Sequence, residues 1–343
     1  MGQALREVDP GVELMFVGSS HGPEGKLAVE AGIPFQSVPS APLTKSLSFR
    51  NAASLLKLVT SFFIARRILK SFAPDVVIGT GGYTTAAVLL AARSLHSKIM
   101  IHEQNAVPGR TNLWLARIAD KVCVSFDSSA AFFPKEKVEV TGMPIRSGFS
   151  NMPDKLEARK QLGLDADAFT VLVVGGSQGA KKLNELVIGM LGTVDDGKSQ
   201  ILHQVGTRNV VDISARDIAS SHMHHYAAYL DMPIALAAAD LVISRSGAST
   251  IAEITAARLP SILVPYPYAY ANHQKRNAEY VVGHHAAILC EESLITEESL
   301  GDLVGVLRAS PDKLNAMASS SASIAKVDAA RSVAELATGM VNE

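Results

Sequence analysis

Nine short β-branched or aliphatic runs recur along the chain with helix-length stretches between them: Glu13–Gly18, Asp75–Gly79, Lys98–Glu103, Lys121–Ser125, Thr170–Gly175, Gln200–Gly206, Leu241–Ser244, Ser261–Val264 and Ala286–Cys290. Strands separated by helices do not close as hairpins. They pair in parallel through crossover helices that cover the sheet, so the fold class is α/β with parallel sheets. At 343 residues the chain exceeds one ordinary core. Met143–Pro153, with Pro144, Gly148 and Pro153 and no clear period, reads as the linker between two domains. Both halves share the strand and helix rhythm, which predicts two Rossmann-like domains facing a cleft, with ligands beyond the carboxyl ends of the strands.

Thr170–Val174 runs straight into Gly175-Gly176-Ser177-Gln178-Gly179-Ala180 and then a helical pattern. Bare glycines let backbone approach an anion, and the first N–H groups of the helix point at it, so this turn predicts a phosphate ester or diphosphate ligand. A dinucleotide oxidoreductase fits poorly: the glycine spacing differs, and the next strand ends Gln204-Val205-Gly206 without the acid that would hold a ribose. A second turn, Ser244 to Glu253, again leads from strand to helix. Its N–H groups and hydroxyls suit an anion, and Glu253 is placed to accept from both hydroxyls of a ribose. Helix capping by Ser249 or Thr250, with Glu253 favouring the dipole, explains that turn taken alone. Two such turns in one domain describe a nucleoside-diphosphate site. Asn272–Ala278 adds uncharged amides suited to sugar hydroxyls. In the first half, His102–Asn105, Pro108–Asn112 and the glycine turn Gly79–Tyr83 all place polar groups at strand ends.

With 48% apolar and 19% charged residues the chain is a folded one, and no apolar run reaches the roughly 18–20 residues that span a bilayer. The N-terminus lacks a signal-peptide pattern, so a cytoplasmic location is expected. Cys123 and Cys290 read as small buried hydrophobes, and no ligand cluster for a metal stands out. Residues 1–150 carry 16 basic against 11 acidic side chains, and residues 151–343 carry 16 against 22. The basic excess centres on Lys45, Arg50, Lys57, Arg66, Arg67 and Lys70, with no acid between Glu30 and Asp75. Leu55, Leu58, Val59, Phe62 and Leu69 recur there at helical spacing, widened by Leu56, Phe63 and Ile64. An anionic membrane surface would suit residues 45–72. A core helix with a solvated basic edge explains them equally. Nucleic acid fits less well, since no aromatic platform interleaves the charges.

Gly79-Thr80-Gly81-Gly82-Tyr83, His102-Glu103-Gln104-Asn105, Thr141 to Arg146, Gly175 to Ala180, Arg245 to Thr250 and Gln274-x-x-Asn277-Ala278 occur in that order. This ordered set, from about Ala4 to the C-terminus, resembles the MurG family of bacterial glycosyltransferases. The resemblance implies the GT-B architecture, with domains at 1–146 and 147–320 and a final helix, 321–343, returning to the first. It implies inverting transfer of GlcNAc from UDP-GlcNAc to the MurNAc C4 hydroxyl of undecaprenyl-pyrophosphoryl-MurNAc-pentapeptide, in peptidoglycan synthesis at the cytoplasmic face of the plasma membrane, with no cofactor. Carried over by motif, Glu253 holds the ribose diol. Ser177 and the turn Ala248, Ser249 and Thr250 hold the donor diphosphate, Ile251 belongs to the same donor-binding set, and Arg146 adds charge. Asn105, Gln274 and Asn277 meet GlcNAc, backbone near Tyr229 and Leu230 meets uracil, and Gly81, Gly82 and Tyr83 face the acceptor diphosphate.

The family opens with a strand and a Gly-Gly-Thr-Gly-Gly-His loop, whereas this sequence begins at what resembles the following helix. A longer reading frame is the expected explanation. That loop carries the family's candidate base, and His102 and Glu103 are weak substitutes for it. Two alternatives therefore accompany the transferase: a UDP-sugar-binding protein without catalysis, and a GT-B enzyme acting on another lipid.

Overall fold

A computed structural model of the chain describes residues 1–19, 22, 24–39, 49–176, 179–194, 197–207, 209 and 223–341, with backbone alone for 49–56. Two compact units result: Met1–Pro144 with Asp328–Glu343, and Ile145–Val327. Arg146 and residues 321–327 thus fall in the second unit, on the other side of the boundaries read from the sequence. Its helix Pro311–Ser323 goes with that unit because Met317 packs into the second unit's core.

The first unit holds β1 (Phe16–Ser19) paired in parallel with β2 (Phe35–Val38), and a parallel sheet of β3 (Val76–Gly79), β4 (Lys98–Glu103), β5 (Lys121–Val124) and β6 (Val138–Val140), in that spatial order. Among the described residues no ladder joins β1 to β3, and the break falls where the family resemblance places a further strand. Side chains alternate across a strand, so Ile99 and Ile101 face one layer and Met100 the other. The Ile99 face buries Leu89, Leu115, Val122 and Val124 together with Ala65 and Leu69 of the helix Phe49–Phe72. On the opposite face Met100 and Cys123 meet Val333, Ala337 and Met340 of the helix Ala329–Val341, which ties the C-terminus to this unit. A fully buried side chain of this size contributes about 1.5–3 kcal/mol.

The second unit is one parallel sheet ordered β12 (Ala287–Leu289), β11 (Ser261–Leu263), β10 (Leu241–Ser244), β7 (Phe169–Val174), β8 (Ser199–Gln204) and β9 (His224–Ala227). From β7 the chain winds outward through β8 and β9, then returns to β10 on the other side and continues away. The order therefore reverses between β7 and β10, the position at which open α/β sheets bind ligands. Both strands end in the two turns singled out from the sequence: Val174 runs into Gly175 and Ser244 into Arg245.

Three strands, β2, β6 and β9, were not expected. All lie at sheet edges, and their sequences, FQSV, VEV and HHYA, are half-polar because one side faces out.

Candidate functional site

The turn after β7 requires glycine on steric grounds. A β-carbon on Gly175 would lie 2.6 Å from the backbone nitrogen of Ala180, and one on Gly179 would lie 2.1 Å from the Val205 carbonyl oxygen. Gly176 and Gly179 also have φ of +92° and +75°, values that other residues adopt only under strain. The helix Lys181–Val194 follows at once, so its N-terminus opens onto the turn. Ser177 and Gln178 lie outside the described residues.

Opposite, the helix Ala248–Ala256 begins at an N-cap glycine, Gly247, with no side chain capping it. Ser249 and Thr250 therefore sit within the first turn instead of serving as the cap. Ala248 and Ile251 are buried beneath them and set the helix on the sheet. Glu253, one turn further on, is 9% exposed and lies 3.7 Å from Arg146 Nε. Burial pushes its carboxyl above the usual range, and the Arg146 charge opposes that shift. Arg146 also donates to the Tyr229 hydroxyl (2.9 Å). The expected nucleobase register needs one correction: the Leu230 N–H is already committed to Gln204 Oε1 (3.0 Å), whose amide nitrogen donates to the Gly176 carbonyl (3.3 Å). Gln204 thus couples the loop carrying Tyr229 to the glycine turn.

Arg245 does not face solvent. Its guanidinium is 8% exposed, donates to the carbonyls of Val264 (3.0 Å) and Pro265 (3.2 Å), and pairs with Glu292. It braces three loops at the carboxyl end of the sheet. Arg245→Ala leaves the largely covered Glu292 without its counter-charge; removing one partner of a fully buried pair costs about 3–5 kcal/mol, so the expected loss lies at or below the lower end of that range. Chemical denaturation should show that loss, and a smaller one when Arg245→Met and Glu292→Leu are combined.

Ser246 Oγ donates to the Gln274 carbonyl (2.8 Å), and Gln274 Oε1 accepts from the Tyr266 N–H (2.9 Å). Asn277 is wholly buried and its amide donates to the Ser246 carbonyl (3.2 Å). The expected sugar contact at Asn277 is therefore corrected to a brace beneath the 245–247 turn.

In the first unit Glu103 is 1% exposed and accepts from the N–H groups of Asn105 (2.9 Å) and Gly109 (3.1 Å) and from Asn112 Nδ2 (2.8 Å). This carboxylate shapes the loop that carries Asn105. His102, also 1% exposed, donates from Nε2 to the Gly142 carbonyl (3.0 Å), and burial lowers its pKa. Both candidate substitutes for a base are thus engaged in holding the strand ends. Gly81 and Gly82 have φ of +92° and +89°, and Gly82 is the N-cap of the helix Tyr83–Ser94, again without side-chain capping. Tyr83 is half exposed beside it.

These arrangements coincide with what comparison finds. Residues 170–335 match the model of the glycosyltransferase family 28 C-terminal domain, and residues 1–124 that of its N-terminal domain. The fold and the two anion turns define a glycosyltransferase of the GT-B class. The UDP-N-acetylglucosamine--N-acetylmuramyl-(pentapeptide) pyrophosphoryl-undecaprenol N-acetylglucosamine transferase of Listeria welshimeri is 36% identical over 98% of this chain and 93% of its own length. The corresponding protein of Desulforamulus reducens is 37% identical over 93% of this chain and 88% of its own. The crystal structure of Acinetobacter baumannii MurG superposes with a TM-score of 0.78 at 29% identity, over 98% of this chain and 95% of that one. The chain belongs to the MurG family.

Proposed function

We infer that the chain transfers GlcNAc from UDP-GlcNAc to undecaprenyl-pyrophosphoryl-MurNAc-pentapeptide. The observation that carries the reading is the pair of helix starts that follow glycine turns on either side of the β7/β10 reversal, the second without a side-chain cap and with Glu253 one turn beyond it. In this reading Glu253 accepts from both ribose hydroxyls. The 175–180 turn with Ser177, and the first turn Ala248, Ser249, Thr250 and Ile251, receive the diphosphate. Arg146 is freed from Glu253 to meet negative charge as UDP departs. Asn105 and Gln274 contact GlcNAc, and the Gly81, Gly82 and Tyr83 turn receives the acceptor diphosphate.

The acceptor C4 oxygen forms a bond to the anomeric carbon while the bond to UDP breaks. The UDP oxygen takes the electron pair, the hydroxyl proton passes to solvent water, and configuration inverts. Oriented N–H dipoles and one guanidinium stabilise the departing charge. The reading places no metal in that task, so saturating EDTA should leave the initial rate unchanged; loss of activity restored by a divalent cation would refute that part. The test of the whole is incubation with labelled UDP-GlcNAc and a lipid-linked MurNAc-pentapeptide pyrophosphate. One label transferred per UDP released supports it. A second reading, UDP-sugar binding without transfer, is favoured by the engagement of His102 and Glu103, and binding in calorimetry with no labelled product would establish it.

The acceptor is lipid-linked, and the reading seats the first unit on the cytoplasmic face of an anionic membrane through residues 45–72. No described helix is long and apolar enough to cross a membrane. Among the described side chains of the helix Phe49–Phe72 the buried positions are Ser61, Ala65 and Leu69, whereas Val59 and Phe63 are 45% and 64% exposed. The apolar stripe is thus wider than the face the core uses. Val59→Ser with Phe63→Ser should reduce sedimentation with phosphatidylglycerol vesicles at least several-fold and leave the melting temperature unchanged; equal sedimentation would contradict the docking.

A further inference from the structure

Gln204, the last residue of β8, is 3% exposed and lies between two exits from the sheet. In the parallel ladders it sits level with Val174 of β7 on one side and Ala227 of β9 on the other. Gly176 follows Val174 by two residues, and Leu230 follows Ala227 by three, so one side chain reaches both. Its Nε2 donates to the Gly176 carbonyl (3.3 Å) and its Oε1 accepts from the Leu230 N–H (3.0 Å). A carbonyl only accepts and an N–H only donates, so the orientation of the amide is determined.

Gly176 is the residue of the turn most in need of such a tie. Its φ is +92°, and among the described residues a β-carbon there would meet nothing within 4 Å. Packing therefore leaves its peptide free to rotate, unlike Gly175 and Gly179, which close against Ala180 and the Val205 carbonyl. Rotation would turn the Gly176 carbonyl away from β8, and a carbonyl oxygen presented to a diphosphate repels it. Two donors oppose that movement. The Gly179 N–H (3.0 Å) belongs to the turn and moves with it, whereas the Gln204 amide ties the carbonyl to the sheet. Leu230 anchors the other end of the amide, being 7% exposed just before the helix Met232–Ala238.

We propose that Gln204 is a positioning residue for the donor diphosphate, holding the Gly176 peptide in the shape that receives the anion; this rests on the function proposed above. Gln204 acts through Gly176, and the ordering cost of the turn is met before the ligand arrives.

The test is calorimetry of the full chain with UDP and with uridine, which carries no phosphate. Gln204→Leu removes the donor without adding charge. It should lower UDP affinity about tenfold, the worth of one buried hydrogen bond, and leave uridine affinity within about twofold of wild type. Gln204→Glu keeps the acceptor for Leu230 but sets a second acceptor against the Gly176 carbonyl. Burial raises the pKa of such a carboxyl, and its protonated form donates again, so UDP affinity relative to wild type should be about tenfold low near pH 8 and recover by about pH 6. A Leu variant that binds UDP as wild type does, or that loses UDP and uridine by the same factor, overturns the inference and leaves the transferase reading intact. So does a Glu variant whose UDP affinity relative to wild type is the same at both pH values, a readout that stands even if the Leu variant does not fold. A wild-type chain that does not bind UDP overturns both.

Discussion

Glu253→Ala is expected to lower kcat/KM for UDP-GlcNAc by about 100- to 1,000-fold, since two hydrogen bonds to a charged acceptor together represent about 3–4 kcal/mol after residual contacts are allowed for. The carboxylate is 9% exposed, so water competes poorly for it. Burial raises its pKa, and Arg146 at 3.7 Å partly offsets that shift in the unliganded chain. Glu253→Gln retains one acceptor oxygen and should lose less, about tenfold. The loss must vanish with a donor lacking the 2′- and 3′-hydroxyls, because both variants then lack the same contact. An Ala variant that still discriminates the ribose from its dideoxy form would remove Glu253 from the site. The raised pKa adds a pH signature: protonation silences this acceptor, so donor binding should weaken on acidification at a higher pH than an ordinary carboxylate would allow.

The second large effect is acid lability of the second unit. His203 is wholly buried, and its Nε2 donates to Asn184 Oδ1 (3.1 Å), an orientation fixed by Asn184 Nδ2 donating to the Val205 carbonyl (3.0 Å). Its Nδ1 must then accept from His224 Nε2 (3.3 Å), which makes His203 neutral. Tyr226 stacks on His224, and the neighbouring His225 acts on it electrostatically. Burial, with the neighbouring imidazole adding to it, pushes His203 down to about 3, and burial followed by His225 pushes His224 down to about 4. Above pH 6.5 neither folded nor unfolded chain holds these protons and no penalty exists. As pH falls below 6.5 the unfolded chain binds them and the folded chain does not, so stability declines by up to about 1.4 kcal/mol per pH unit for each histidine. Between pH 6.5 and 4.5 the loss is about 2–5 kcal/mol, a large share of the stability of an ordinary domain. Urea midpoints measured across that range should fall steeply, and His224→Phe should flatten the slope by about one proton. Equal slopes in variant and wild type would dismiss the pair as the cause. The consequence reaches function through Val205, whose carbonyl is the group against which Gly179 closes.

What the sequence made legible followed from local rules. A continuous apolar run such as Val171–Val174 announces a strand buried on both faces, and a glycine that backbone forbids to others, such as Gly175 or Gly179, announces its turn. Edge strands lacked that signal because half their side chains face outward, as in VEV of β6. The bracing partners were hidden for a different reason. Arg245 meets Glu292 from 47 residues away and His203 meets His224 from 21, pairings that only sheet order creates. From its amide chemistry Asn277 suited a sugar, yet the turn of its helix directs the amide to Ser246. The exposed apolar residues Val59 and Phe63 show the same limit, since periodicity reports an apolar face but not how much of it the core consumes.

Hydrogen exchange of the full chain with and without UDP tests the central claim, that the donor diphosphate is held where the strand order reverses in the second unit. Protection should appear in amides 175–180 and 247–253, with Arg146→Ala weakening the effect and amides 79–83 unchanged. Protection at 79–83 with none at 175–180 and 247–253 would contradict it.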